Sequence, residues 1–387
     1  MDQPEGFKRW GSGATPLVCK LLKAVYGLKQ APHEWNNLLH DFLTGYGLHQ
    51  LKCDSACYAL ITPTLVVFIA VYVDDLLIFS SDPAWTKQFK QAFAAAFDIK
   101  DLGAPVRVLG MSVVHDLAQQ TLLLHQGPYI RDLLTRFHML DCKATDFPSP
   151  TAPASPGPQD TSADDHAKYR SIVGALLFLS VLTRPDIAEV VARLCRYMHA
   201  PTFGHLKDAQ YVLRYLKGTA ELGVTYRPIS GPLIFQGFSD SNFTTPDSNG
   251  KSVSGYIFTM GSGAISYRSR LQSTVAKSTA EAEYVALGLA TAEAIYLRML
   301  LAELGHPADG PTIIGEDNEA CMTIATTTQT SFRTRHIRIE FHFIRDAIKN
   351  RDIHLKYVPS AENPADSMTK PLRGPVFLRH RAFLLGI

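Results

Sequence analysis

Two groups of acidic residues in this chain have types and spacings suited to metal-dependent chemistry. The first is Asp74 and Asp75, two adjacent carboxylates at the centre of an apolar, β-branched run over residues 64–79. Ionised carboxylates among apolar side chains are costly unless their charge is compensated. The run therefore predicts two short strands that meet at a functional pair. The tip of an ordinary hairpin, where aspartate is favoured for local hydrogen bonds, is the alternative.

The second group is Asp240, Glu283, Asp317 and Asp366, which lie at the boundaries of predicted elements. We place Asp240 at the end of a strand and Glu283 one turn into a helix. Asp317 follows a short strand, and Asp366 begins the last predicted helix. Converging carboxylates repel one another, and two hard divalent cations relieve that repulsion. Such a pair of ions supports in-line displacement at a phosphodiester.

Each acidic residue also has a structural interpretation. Glu281 stands three residues after Ser278, the spacing of a capping box, so Glu281 is assigned to the helix start and Glu283 to the site. Asp366 has the position of a helix-dipole partner, and Asp317 that of a turn residue. The prediction of a metal site depends on the four residues together.

Composition restricts the class of protein. The chain has 387 residues, which is enough for two or three domains. Its content of 46% hydrophobic and 19% charged residues is typical of a globular protein, and its net charge is +2. The six cysteines are scattered, so they predict neither a disulfide framework nor a zinc site. The first residues lack the apolar core of a signal peptide, which favours an intracellular protein without a membrane span.

Hydrophobic periodicity predicts the elements that position these residues. A hairpin at the first pair is followed by a strand over 106–114, and a proline-rich linker occupies 148–165. Helices are predicted over 169–182, 186–199 and 205–216. The last part reads strand, strand, strand, helix, strand, helix, strand, helix, which predicts a mixed α/β layer architecture.

The sequence around the four C-terminal carboxylates resembles the catalytic blocks of the ribonuclease H fold. The blocks are FSD at 238–240, STAEAEY at 278–284, EDN at 316–318 and NPAD at 363–366. In detail they are similar to the ribonuclease H of copia-type LTR-retrotransposon Pol polyproteins. The preceding part resembles the reverse transcriptase of the same elements, in LLKAVYGLKQAPHEW at 21–35, VYVDDLLIF at 71–79, LGMSV at 109–113, YRSIVGALLFLSVLTRPDI at 169–187 and LRYLKGT at 213–219.

The resemblance implies an α+β or mixed α/β chain in three parts. Residues 1–125 correspond to a partial reverse-transcriptase palm, 126–230 to a helical thumb or connection that contains the 148–165 linker, and 231–387 to a ribonuclease H-like domain. In such domains four carboxylates hold two Mg²⁺ ions, with Mn²⁺ as an alternative, and cut the RNA strand of an RNA–DNA hybrid. The implied partners are that hybrid and a primer–template. The implied location is the cytoplasm, in the particle of the element, or the nucleus.

The resemblance also assigns residues to nucleic-acid binding. Lys29 and Gln30 match the block that lines the incoming-nucleotide pocket. Basic residues that could follow phosphates cluster near the C-terminus, although a solvated helix surface explains them nearly as well; they are Arg333, Arg335, Arg345 and Lys349.

The polymerase half departs from the family pattern. Palm-type nucleotidyl transfer uses three aspartates, and the family's first one lies just upstream of the stretch that begins at Met1. We therefore expect Asp74 and Asp75 to lack a third ligand, with neither dNTP binding nor polymerisation. Two alternatives remain open: a complete RNA-directed DNA polymerase whose start lies upstream, and a non-enzymatic, degenerate or host-retained nucleic-acid binder.

Overall fold

The computed structural model describes residues 1–11, 17–25, 27–154, 161–228, 234–244, 248–327 and 338–387, with side chains of the last range from residue 342. These residues form two compact units. Unit 1 comprises Met1–Asp101 and Met299–Pro307, and unit 2 comprises Leu102–Arg298 and Ala308–Ile387.

In its described residues, unit 1 contains a four-stranded antiparallel sheet, two complete helices and the end of a third, which begins in unit 2. Its elements are α1 (Ala31–Gly45), β1 (His49–Gln50), β2 (Cys57–Ile61), β3 (Val66–Tyr72), β4 (Asp75–Ser80) and α2 (Pro83–Ala96), with the strands in the order β1-β2-β3-β4. Phe89 and Phe93 of α2 are buried with Leu39 and Leu43 of α1, which forms the core of this unit.

The predicted hairpin at the aspartate pair is present. Strands β3 and β4 are antiparallel, with Tyr72 opposite Asp75. Val73, at the tip, has a φ of 58°, a left-handed conformation that is strained for a β-branched residue. The indole Nε1 of Trp35 donates a hydrogen bond to the carbonyl oxygen of Val73 at 2.7 Å. This contact from α1 helps to hold the tip in its strained conformation.

Unit 2 begins with a second antiparallel sheet and a helical cluster. The elements are β5 (Arg107–Val108), β6 (Met111–Asp116), β7 (Thr121–His125), α3 (Gly127–Arg136), α4 (Ala163–Leu182), α5 (Ala188–Cys195), α6 (Phe203–Gly218) and β8 (Gly223–Tyr226). The strand order is β5-β6-β7-β8. The prediction of one strand over 106–114 is wrong, because Leu109 and Gly110 have φ values of 49° and 81° and turn the chain between β5 and β6.

The predicted linker over 148–165 is shorter in the structure. Helix α4 begins at Ala163 because Ser162 and Asp165 form a capping box. At the other end Ser149 is buried; its hydroxyl accepts a hydrogen bond from Arg193 at 3.1 Å and its carbonyl accepts one from Arg373 at 2.7 Å. Residues 155–160 lie outside the described part of the chain.

The last part of unit 2 is a five-stranded mixed sheet. Its elements are β9 (Phe235–Asn242), β10 (Val253–Met260), β11 (Ala264–Leu271), α7 (Thr279–Glu303), β12 (Thr312–Glu316), α8 (Glu319–Thr326), α9 (Arg338–Lys349), β13 (Ile353–Tyr357), α10 (Asp366–Thr369) and α11 (Gly374–Leu385). The strand order is β11-β10-β9-β12-β13. β9, β10 and β11 pair antiparallel, whereas β12 is parallel to both β9 and β13. This is the ribonuclease H-like arrangement, and it confirms the predicted mixed α/β class.

Two details of this sheet differ from the prediction. Asp240 lies inside β9 and not at its end, because pairing with β10 continues to Asn242 opposite Val253. Helices α8 and α11 were not predicted as separate elements, although Cys321 and Ala325 of α8 and Phe377 and Leu384 of α11 are buried.

Helix α7 is the single helix in the described ranges that is long and apolar enough to cross a membrane. Its residues Tyr284 and Leu287 are buried in a core cluster with Phe258 of β10 and Ile314 of β12. A buried core helix meets the same length and composition criterion, so this is weak evidence for a membrane span.

A fully buried ion pair connects the helices of unit 2. The Arg184 guanidinium donates hydrogen bonds to both carboxylate oxygens of Asp186, at 2.9 and 2.7 Å, and to the carbonyl oxygen of Thr219 at 2.9 Å. The Tyr215 hydroxyl donates to Asp186 at 2.6 Å. Burial raises the pKa of Asp186, but Arg184 outweighs burial and keeps that pKa below its usual range. These bonds tie the turn before α5 to the end of α6.

We expect Asp186→Asn to lower the free energy of unfolding by about 3–5 kcal/mol, because Arg184 would keep a buried charge without its partner. The matched control is Glu221→Gln, which makes the same change in the exposed pair with Arg131 and should cost less than about 1 kcal/mol. Urea denaturation at pH 7 measures both. Equal losses in the two variants would contradict a fastening role for the buried pair.

Candidate metal and catalytic site

Two central parallel strands bring two of the predicted carboxylates to the same edge of the sheet. Phe238 of β9 is paired with Gly315 of β12, so Asp240 and Asp317, each two residues further on, lie side by side. Glu283 reaches the same place from the first turns of α7. The carboxyl edge of parallel strands is where α/β proteins commonly bind ligands.

These three side chains converge. Asp240, Glu283 and Asp317 each present a carboxylate oxygen, and the three oxygens lie within 4.8 Å of one another. Asp240 is 1% exposed and Glu283 is 6% exposed. The Oε2 atom of Glu283 is buried and has no hydrogen-bond partner among the described residues. A set of carboxylate oxygens with an unsatisfied acceptor fits a hard divalent cation.

The fourth predicted residue, Asp366, is held by a cation of the protein itself. It begins α10, and Lys370, just past the end of that helix, donates to Asp366 Oδ1 at 2.7 Å. The same ammonium lies 3.7 Å from Asp240 Oδ1. The hydroxyl of Thr369 donates to Asp240 Oδ2. Helix α10 therefore borders the three-carboxylate cluster, but Asp366 is not one of its members.

A glycine allows α10 to approach the sheet. Gly255 of β10 pairs with Asp240, and a Cβ atom there would come within 2.6 Å of the Met368 Cβ and 2.8 Å of the Thr369 Cγ2. Any side chain at this position would displace α10 and with it Asp366.

A fifth carboxylate lies beside the cluster and was not assigned a role from the sequence. Glu316, the last residue of β12, is fully buried, and its Oε2 accepts a hydrogen bond from the Ser239 hydroxyl at 2.6 Å. The other oxygen, Oε1, has no partner in the described part of the chain. The amide of Asn363 donates to the Ser239 carbonyl at 2.8 Å, so one buried network joins β9, β12 and the loop before α10.

Burial and mutual repulsion raise the pKa values of these groups. The pKa of Asp240 is raised to about 7, chiefly by burial; Lys370 opposes this increase, and Asp366 adds to it. Burial, followed by the charges of Glu316, Asp240 and Asp317, raises the pKa of Glu283 to about 10. Without a metal ion, the site therefore retains protons that a divalent cation must displace.

The residues predicted to serve the polymerase half are exposed. Asp74 and Asp75 are exposed at the hairpin tip, and Lys29 and Gln30 are exposed just before and at the start of α1. The described residues place no third acidic or metal-binding side chain with the aspartate pair, because the cluster at Asp240 is the one such group found in them.

The predicted basic face is described in part. Arg345 donates hydrogen bonds to the carbonyl oxygen of Ile324 at 2.9 and 3.3 Å, so its guanidinium contacts the end of α8. Lys349 is exposed at the end of α9. Arg333 and Arg335 lie outside the described residues.

A sequence comparison identifies the N-terminal part. The profile of the family "Reverse transcriptase (RNA-dependent DNA polymerase)" matches residues 1–151. A reverse-transcriptase domain followed by a ribonuclease H-like domain is thus the class of protein that the sequence, fold and site define.

Relatives that match most of the chain define the family. The chain is 33% identical over 378 residues to the retrovirus-related Pol polyprotein of transposon TNT 1-94 from Nicotiana tabacum. The aligned region covers 96% of this chain and 28% of that protein. It is 30% identical over 288 residues to a putative transposon Ty5-1 protein of Saccharomyces cerevisiae, over 74% of this chain and 92% of that one. The chain belongs to the family of copia-type retrotransposon Pol polyproteins, as its sequence blocks predicted.

Among solved structures, the crystal structure of RNase H1 from the halophilic archaeon Halobacterium salinarum NRC-1 matches with 17% identity and a TM-score of 0.27. The match covers 35% of this chain and 93% of that protein. The ribonuclease H-like assignment therefore depends on strand order and pairing, not on this similarity.

We expect the metal-free protein to lose stability as pH rises through the range of the shifted pKa values. The folded state keeps a proton on Asp240 up to about pH 7, whereas the unfolded state releases it above the ordinary pKa of 3.8. The stabilisation is fully present below that ordinary value and is lost as pH rises through about 7. Urea denaturation with a chelator at a series of pH values measures this, and Mg²⁺ should reverse the loss.

Asp240→Asn is the control for the pH series, because asparagine resembles the protonated acid. As pH increases, the unfolding free energy of the wild type should decrease relative to that of this variant. A difference that stays constant with pH would contradict the raised pKa of Asp240.

Proposed function

We propose that the C-terminal part of this chain hydrolyses the RNA strand of RNA–DNA hybrids, with two Mg²⁺ ions bound by Asp240, Glu283, Asp317 and Asp366. The observation that carries the proposal is the convergence of three of these carboxylates within 4.8 Å at the carboxyl edge of a ribonuclease H-like sheet. Mn²⁺ is an alternative ion of the same hard, oxygen-preferring class.

The chemistry of the donor set supports this assignment. Bound divalent ions supply Lewis acidity and a water nucleophile for phosphodiester displacement. The protein's own part is to orient the carboxylates: the Thr369 hydroxyl fixes one oxygen of Asp240, and the Ser360 hydroxyl donates to Asp317. Burial of Asp240 and Glu283 keeps bulk water from screening the charges they would present.

The proposed substrate follows from the family and from the kind of contact that the surface offers. Hybrid duplexes are recognised mainly by shape, phosphates and 2′-hydroxyls, with little reading of sequence. Lys349 at the end of α9 is exposed and suited to phosphate contact, and Arg333 and Arg335 remain predictions. An intracellular location, in a cytoplasmic particle or in the nucleus, is likewise a proposal.

We place the proposed activity at this site and not at the aspartate hairpin. Asp74 and Asp75 lie at an exposed tip, and in the described ranges no third ligand-type side chain accompanies them. The expectation that the polymerase half does not incorporate nucleotides stays a prediction. The chain spans 28% of the length of the tobacco relative, so activities of whole Pol polyproteins are proposals for this chain as well.

We expect Asp240→Asn to reduce hybrid cleavage at least about 100-fold, because it removes a charged metal ligand from the cluster. Removal of one group that stabilises developing charge typically reduces the rate by roughly 10²–10³-fold. The assay uses a hybrid with label on the RNA strand and, separately, on the DNA strand, in Mg²⁺. RNA-strand products should disappear in the variant, and a chelator should abolish them in wild type.

The matched control is Asp309→Asn, the same change at an exposed aspartate away from the cluster, which should leave cleavage unchanged. Full cleavage by Asp240→Asn would exclude the proposed site. Wild-type protein that retards the hybrid in a gel but leaves both strands intact in Mg²⁺ would favour the non-enzymatic binder.

A further inference from the structure

Lys370 occupies the place between the two carboxylates that a second cation would be expected to share. Its ammonium lies 2.7 Å from Asp366 Oδ1 and 3.7 Å from Asp240 Oδ1. The side chains of Asp240 and Asp366 are 1% and 11% exposed, whereas that of Lys370 is 34% exposed. The ammonium of Lys370 thus contacts the carboxylates, while part of the lysine side chain is exposed to solvent.

The charges around Lys370 favour its ionised form. Burial lowers its pKa, but Asp240 and Asp366 outweigh burial, so the pKa lies above the ordinary lysine value. Asp317 acts in the same direction from the three-carboxylate cluster. The lysine therefore carries a full positive charge at neutral pH and relieves the repulsion between Asp240 and Asp366.

The two parts of the site are neutralised differently. Asp240, Glu283 and Asp317 form a cluster of oxygens with a buried, unpartnered acceptor at Glu283. Lys370 touches this cluster only through the longer 3.7 Å contact with Asp240, whereas it lies 2.7 Å from Asp366. The Asp240–Asp366 pair already has its cation. A divalent ion can enter the cluster directly, but it reaches the pair only after the ammonium has left.

We propose that Lys370 is a built-in competitor for the second divalent cation, so that the protein without nucleic acid binds one ion tightly at the three-carboxylate cluster and a second only weakly. This rests on the proposed function, since it assumes that the same carboxylates hold metal. The lysine is a positioning and regulatory residue. Its partial exposure lets it swing away from Asp366 when the second ion enters.

The test counts ions without any cleavage assay. Mn²⁺ is titrated into the protein without nucleic acid, and free Mn²⁺ is measured by electron paramagnetic resonance. Wild type should show one strong site. Lys370→Met, which keeps the length of the side chain but removes its charge, should gain about tenfold in affinity at a second site, the equivalent of about 1.4 kcal/mol for one lost ion pair.

Two further variants make the result specific. Lys370→Arg keeps the charge and should behave as wild type, and Lys356→Met makes the same neutralisation at an exposed position on β13, where it should change nothing. Lys370→Gln provides a second neutral variant if the methionine protein is unstable, which circular dichroism and urea denaturation monitor. Retention of one strong site after Lys370→Met and Lys370→Gln would overturn the inference.

The outcomes also separate this inference from the proposed function. If wild type binds one or two ions and the neutral variants match it, competition by Lys370 is wrong while the metal site stands. If no variant binds Mn²⁺ and Asp240→Asn has no effect on the titration, the metal site itself is wrong, and the inference about Lys370 is overturned with it.

Discussion

Crowding of negative charge at one edge of the five-stranded sheet is the constraint on which the C-terminal part of the structure depends. Parallel pairing of β9 and β12 puts Asp240 beside Asp317, and α7 adds Glu283 to the same place. Such a group is unfavourable unless protons or cations offset it. In this protein, burial favours the protonated carboxyl groups, and the ammonium of Lys370 lies beside the cluster. Gly255 has no side chain, and this allows α10 to approach the sheet closely enough to place Lys370 there.

The acidic site could be predicted in large part because its residues lie near element ends, where sequence patterns are most informative. Asp240, Glu283 and Asp317 come together as their positions in the strand and helix pattern imply. Glu316 could not be predicted, because a glutamate at the end of a short apolar strand has no local signal. Only the alignment of β12 with β9 brings its carboxylate to Ser239.

The fold was predictable where periodicity is local and long, and less so where pairing is distant. The order of strands and helices after residue 234 follows the hydrophobic pattern, apart from α8 and α11. The turn at Leu109 and Gly110 was missed because a continuous apolar run hides a change of direction that depends on two positive φ values. The start of α4 was masked by the polar residues that cap it, which in composition resemble a linker.

The pairing of β7 with β8 has a consequence for how the chain assembles. His125 of β7 lies opposite Gly223 of β8, where a Cβ atom would come within 2.1 Å of the Leu124 carbonyl oxygen. The two strands therefore pack closely, and the chain between them, which contains α3 to α6, forms a closed loop. Closing a loop of roughly a hundred residues costs chain entropy, and compaction of the intervening helices reduces that cost. The helices should therefore collapse before the sheet is completed. A nascent chain that has not yet emerged past β8 exposes the edge of β7, and the folding chain is most open to aggregation during that interval.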